Sequence, residues 1–197
     1  MTAFRSSHSS GQTTAKSTPL NTHWQVTPTE PAFYYFAYGS CMCPVDLKRS
    51  LGEAMHPYAI GAATLEGYRL GFYRKSRLRN CGVLDIVPDR AKQVIGVLYR
   101  LPWRLSDRLD VREEVPRNGY RQEIISVKCG ENVYDDVRTY VVVDKLHQEL
   151  APNDWYFNVV LRGAVTCGLP EAYCWQLFNH MHHLQLRHQS LSLPRAS

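Results

Sequence analysis

No apolar run in this chain approaches the roughly 18–20 residues that a membrane-spanning helix needs, so no membrane partner is expected. Paired cysteine spacing is missing too. The six cysteines (Cys41, Cys43, Cys81, Cys129, Cys167 and Cys174) form neither a CxxC nor a zinc-type pattern, which excludes a motif-borne metal or dithiol centre. The N-terminus lacks the apolar stretch of a secretory signal. Reduced thiols in a cytoplasmic setting are therefore the expectation. Acid is absent from residues 1–29, which carry Arg5 and Lys16, so part of the net charge of +5 sits in that segment. The remainder is only mildly basic, which suits an anionic small molecule better than a nucleic-acid duplex. There is no internal repeat.

What is present is enough apolar residue, 44%, to bury the core of one domain. Residues 1–31 are Ser/Thr-rich without hydrophobic periodicity and read as a disordered tail. The domain is expected over 32–187, with a C-terminal tail over 188–197. "FYYFAY" reads as a buried strand ended by Gly39, and "CPVDLKRSLG" as a short helix with Pro44 in its first turn and Gly52 closing it. "YAIGAATL", "YRLGFY", "CGVLDIVP" and "VIGVLYRL" read as four strands, punctuated by glycine and charged turns. Leu101, Leu105 and Leu109 make a helical stripe, giving a helix over 102–110. "YRQEIISVKC" and "VRTYVVV" return to strand character. Two helices close the chain, the first capped by Asn153 or Asp154 and stopped by Gly168 and Pro170. The class is α+β.

The corner "YGSCM" follows a strand and precedes a helix start, so the backbone N–H groups from Tyr38 through Gly39, Ser40, Cys41 and Met42 can converge on one point. Such a corner can hold a carboxylate or a developing oxyanion. "YFAYGSCM" is similar to the "YFAYGSNL" signature of the γ-glutamylcyclotransferase-like (AIG2-like) family, with Cys41 where that family usually has Asn. "RLDVREEVPRNGY" resembles its "LDxxEGVxxxxY" segment. "YFNVVLRGAVTCGLPEAY" resembles its "Y…GAxxxGLPxxY" segment. The three motifs cover roughly Phe33 to Leu186 in the family's order.

The resemblance implies a small mixed β-barrel flanked by helices and an enzyme with no cofactor and no metal. Its implied reaction cleaves a γ-glutamyl amide by attack of the substrate's own α-amine on the γ-carbonyl, giving 5-oxoproline and a free amino acid or amine. Glu113 falls on the catalytic glutamate, the general base and acid. Tyr156 falls on a substrate-pocket tyrosine, and Tyr120 stands seven residues beyond the glutamate. The family usually has Gly after the glutamate, where this chain has Glu114, so Glu113 and Glu114 compete for the role. Oligomeric state is left open.

The same residues admit other readings. A relative could act on γ-glutamylamines or on γ-glutamyl-acylated biosynthetic intermediates, and a non-catalytic small-molecule binder could keep the pocket. Cys41 could serve as a nucleophile only with a lowered pKa. His180 and His183 share a helix face that is read as packing through Trp175, Phe178 and Leu184 rather than as a metal site. "RKSRLRN", residues 74–80, is read as a solvated inter-strand loop or a basic lip for an anionic substrate. Arg162 is read as an ordinary helix-surface arginine, with a pocket cation as the second reading, and Trp103 and Trp155 are read as core.

Overall fold

The structure is a computed structural model that describes residues 30–192. The tail predicted over 1–31 falls, apart from its last two residues, outside the described residues. Glu30 and Pro31 are tied down: Glu30 pairs with Arg104 at 2.8 Å, and the Pro31 carbonyl accepts from Trp103 N–H at 2.8 Å.

Five strands form a closed mixed barrel: β1 (Ala32–Ala37), β2 (Ala59–Ser76), β3 (Cys81–Pro102), β4 (Tyr120–Cys129) and β5 (Asn132–Val142). Their order is β1-β3-β2-β4-β5. Neighbours run antiparallel except β1 and β5, which close the barrel in parallel through Tyr35 and Arg138. This is the expected α+β barrel. Closure leaves no long unpaired edge and turns Phe36, Leu98, Tyr99 and Val137 into a fully buried centre.

Four predicted strands are two in the fold. β2 and β3 form one long hairpin, and the glycines read as breaks are absorbed as bulges. Register shifts occur between Ala59 and Gly61, between Glu66 and Tyr68, and between Gly71 and Arg74. At the middle shift Gly67 takes φ +78°, the left-handed conformation a bulge glycine supplies. Arg74 and Ser76 are still in β2, so the basic run 74–80 is only partly a loop.

Four helices flank the barrel. α1 (Pro44–Leu51) starts and ends as its proline and glycine dictate, with Gly52 at φ +84°. α2 (Ser106–Arg112) starts later than predicted, because Leu101 lies in β3 and Trp103–Leu105 form a 3-10 turn. All three leucines of the stripe are nonetheless buried. α3 (Asp154–Thr166) is capped by Asn153, whose side chain accepts from Tyr156 N–H at 2.9 Å. α4 (Glu171–Ser192) continues past residue 187 and packs through Tyr173, Leu177, Met181 and Leu184. Trp175 is exposed on that helix, contrary to expectation, and Trp103 and Trp155 are about half exposed rather than core. No helix among the described residues is long and apolar enough to cross a membrane.

Candidate active site

The corner after β1 is a 3-10 turn, Ser40–Met42, buried between the barrel and α3. Gly163 of α3 makes this approach possible: a Cβ there would stand 2.6 Å from Cys43 N. Inside the turn, Met42 N–H donates to the Gly39 carbonyl at 3.0 Å and Cys43 N–H to the Ser40 carbonyl at 3.2 Å. The N–H groups of Gly39, Ser40 and Cys41 meet no protein acceptor among the described residues. Met42 departs from the expected set. Its amide is consumed by the turn, its side chain is fully buried, and its carbonyl accepts from the Tyr99 hydroxyl at 2.9 Å.

Beside the corner lies a cavity of about 50 Å³, lined by Tyr38, Gly39, Ser40, Cys41, Glu113, Tyr120 and Tyr156 among others. Of the corner residues Tyr38 to Met42, all but Met42 line it, together with Glu113, Tyr120 and Tyr156. Glu113 caps the C-terminus of α2. Its carboxylate is only 13% exposed, and the Cys41 thiol donates to its Oε1 at 2.9 Å. Oε2 has no protein donor among the described residues, so one oxygen remains available to a ligand.

Glu114 turns away from Glu113. It sits at φ +55° and forms an ion pair with Arg74, with its side chain 33% exposed at the cavity rim. The left-handed backbone accounts for the family's usual glycine here, since glycine alone adopts it without strain.

Arg112 was not foreseen. Its Nε donates to Cys41 Sγ at 2.9 Å, while Nη2 donates to Ser40 Oγ at 3.2 Å and Asp46 Oδ2 at 2.6 Å. Guanidinium and carboxylate are each 6% exposed, a buried pair whose charges offset each other. The only sequence signal was adjacency to Glu113, because the partner that permits burial comes from α1.

Cys41 is held as a neutral thiol. Burial is the main cause, Glu113 adds to it and Arg112 opposes it, and together they push the pKa up to about 12. That is opposite to what a nucleophilic cysteine requires.

The tyrosines scaffold the cavity. Tyr156 OH accepts from Leu84 N–H at 3.0 Å, and Tyr120 OH donates to the Leu84 carbonyl at 2.9 Å. Gly39 leaves room for the former, since a Cβ there would lie 3.1 Å from the Tyr156 hydroxyl. Tyr38 OH donates to the Tyr140 carbonyl at 2.6 Å. Arg79 stands over the rings of Trp155 (5.3 Å) and Tyr156 (5.8 Å). Arg162 is exposed on α3, away from the cavity lining. His180, also remote, meets Glu149 Oε1 at 2.8 Å.

Comparison with known proteins agrees with this fold. Residues 93–177 match the AIG2-like family. The chain is 32% identical over 162 residues to the "Putative gamma-glutamylcyclotransferase YkqA" of Bacillus subtilis (strain 168), covering 82% of this chain and 57% of that protein. The crystal structure of YkqA superposes with a TM-score of 0.71 at 30% identity, over 88% of this chain and 60% of that one. The chain thus spans less than two thirds of that relative's length. A structure described as a gamma-glutamyl cyclotransferase superposes with a TM-score of 0.69 at 23% identity, covering 75% of this chain and 86% of its own. A glutathione-specific γ-glutamyl cyclotransferase from yeast shares the fold at a TM-score of 0.53 and 14% identity, over 78% and 96% of the two chains. Residues 93–177 thus carry an AIG2-like domain, on a barrel fold shared with a structure described as a gamma-glutamyl cyclotransferase.

Proposed function

We propose that the protein is a γ-glutamylcyclotransferase-type enzyme that converts a γ-glutamyl amide into 5-oxoproline and a free amine or amino acid. The observation that carries this reading is the Glu113 carboxylate, nearly buried, anchored through Oε1 by Cys41 and open at Oε2, beside a corner with unspent N–H groups.

In this reading Glu113 takes a proton from the substrate's ammonium group. The freed amine attacks the γ-carbonyl carbon, and the oxyanion of the tetrahedral intermediate is held by N–H groups of Gly39, Ser40 and Cys41. The carbon–nitrogen bond to the leaving group then breaks as Glu113 gives its proton to the departing nitrogen, and the second proton of the ring nitrogen passes to the freed carboxylate and on to the released amine. Nucleophile and electrophile share one molecule, so the protein's main task is to hold a folded-back pose. Cys41 acts as a positioning residue: its thiol donates to Glu113, and its departure from the family's Asn preserves a donor at that place. Tyr156 and Tyr120 fix the cavity wall.

The test is 5-oxoproline release from γ-glutamyl amides by wild type, Glu113→Gln and Glu114→Gln. Glu113→Gln is expected to lower kcat by about 10²–10⁴-fold, and Glu114→Gln by only a few-fold. Comparable losses in both variants would remove Glu113 as the base. Binding that raises Tm with no release by the wild type would replace the enzyme with a binding protein.

A further inference from the structure

Outside the catalytic cavity, and sharing Arg79 and Arg112 with it, lies an open groove of about 490 Å³ between α1, the β2–β3 turn and the start of α3. Its charge is unbalanced. Asp46, a carboxylate of its lining, is already bound to Arg112 at 2.6 Å and buried. Arg49 and Arg79 have no carboxylate partner among the described residues. Arg79 is not loose, however. Its guanidinium lies over Trp155 and Tyr156, its N–H donates to Ser76 Oγ at 3.2 Å, and its carbonyl accepts from Asn153 Nδ2 at 2.9 Å. The groove also offers apolar surface, with Trp155 43% and Leu78 86% exposed.

A fixed, unpaired guanidinium beside an exposed indole suits a ligand that is anionic at one point and apolar at another. The groove shares the Arg79 and Arg112 side chains with the cavity that would hold the γ-glutamyl group, and so stands beside the place where a leaving group would project. We infer that this groove is the leaving-group subsite and that Arg79, with Arg49 behind it, recognises a free carboxylate there. The preferred substrates are then γ-glutamyl amino acids with an apolar side chain, in preference to γ-glutamylamines. The inference rests on the cyclotransferase reading.

The experiment compares γ-glutamyl-phenylalanine with γ-glutamyl-phenethylamine, which differ only in the leaving-group carboxylate. Their kcat/KM values for 5-oxoproline release are measured on the full chain, on Arg79→Gln and on Arg79→Lys. The wild type should favour the acid by about 10-fold or more, as a charge-assisted contact implies. Arg79→Gln should reduce that ratio toward one, and Arg79→Lys should keep most of it. The ratio is taken within one preparation, so an unfolded fraction cancels. Equal turnover of both substrates by the wild type would overturn the subsite while leaving the enzyme intact. An undiminished ratio in Arg79→Gln would also overturn it, placing Arg79 on the glutamyl end or on neither. Silence toward both substrates would overturn the enzymatic reading and the subsite with it.

Discussion

At the scale of single residues, Cys41 carries a measurable signature. Its pKa rises from an ordinary 9.0 to about 12 in the fold, so the folded state keeps the proton where the unfolded chain releases it. The stabilising contribution is complete below pH 9 and declines as pH climbs from 9 toward 12. Urea unfolding should show ΔG falling across that window, with a shallower slope in Cys41→Ala than in wild type. Parallel slopes would mean that the thiol is not held as described. Glu113 and the YGSC corner were legible in the sequence because each belongs to a short contiguous motif. Arg112 was not, because its burial depends on Asp46, which lies far away in sequence on another helix. Trp103 and Trp155 misled for a related reason: an indole's size predicts a core, yet here each offers one face to an arginine and the other to solvent.

Among elements, the contact of α3 with the corner is the most demanding. Gly163 lies against the backbone of Met42 and Cys43 with no space for a methyl group. Gly163→Ala should therefore destabilise the protein by about 1–3 kcal/mol, the usual range for overpacking, even though alanine is the better helix former. Chemical denaturation measures this directly, and a stabilised variant would mean that α3 sits farther from the turn. Helices with caps and stop residues were readable from sequence to within a few residues, as α1 and α3 illustrate. The long hairpin was not, because bulges let one strand continue through glycines that locally look like ends. Which strands pair is a matter of register, and no local pattern in β1 announces that it will lie between β3 and β5.

For the whole molecule, closure of the barrel is what assembles the site. The parallel seam brings Tyr35 to Arg138, whose guanidinium is buried over Phe33 at 4.2 Å and donates to Ser106 Oγ at 2.7 Å. Removing this cation in Arg138→Ala should cost about 2 kcal/mol or more. Because the cavity draws on all five strands, α2 and α3, loss of the proposed 5-oxoproline release and loss of tryptophan fluorescence should coincide along a urea titration, for the variant as for wild type. Activity lost well before the fluorescence change would indicate a site that opens independently of the barrel. The junction at Leu84 bears on how any such kinetics are interpreted. Its N–H and carbonyl are both taken by tyrosine hydroxyls, one from α3 and one from β4, so Tyr156→Phe or Tyr120→Phe would orphan a main-chain group before it deprived a substrate of anything. A slow phenylalanine variant at either position would then report a sagging wall rather than a missing participant in the chemistry. Only a change in substrate preference, not a change in rate, could tell the two apart.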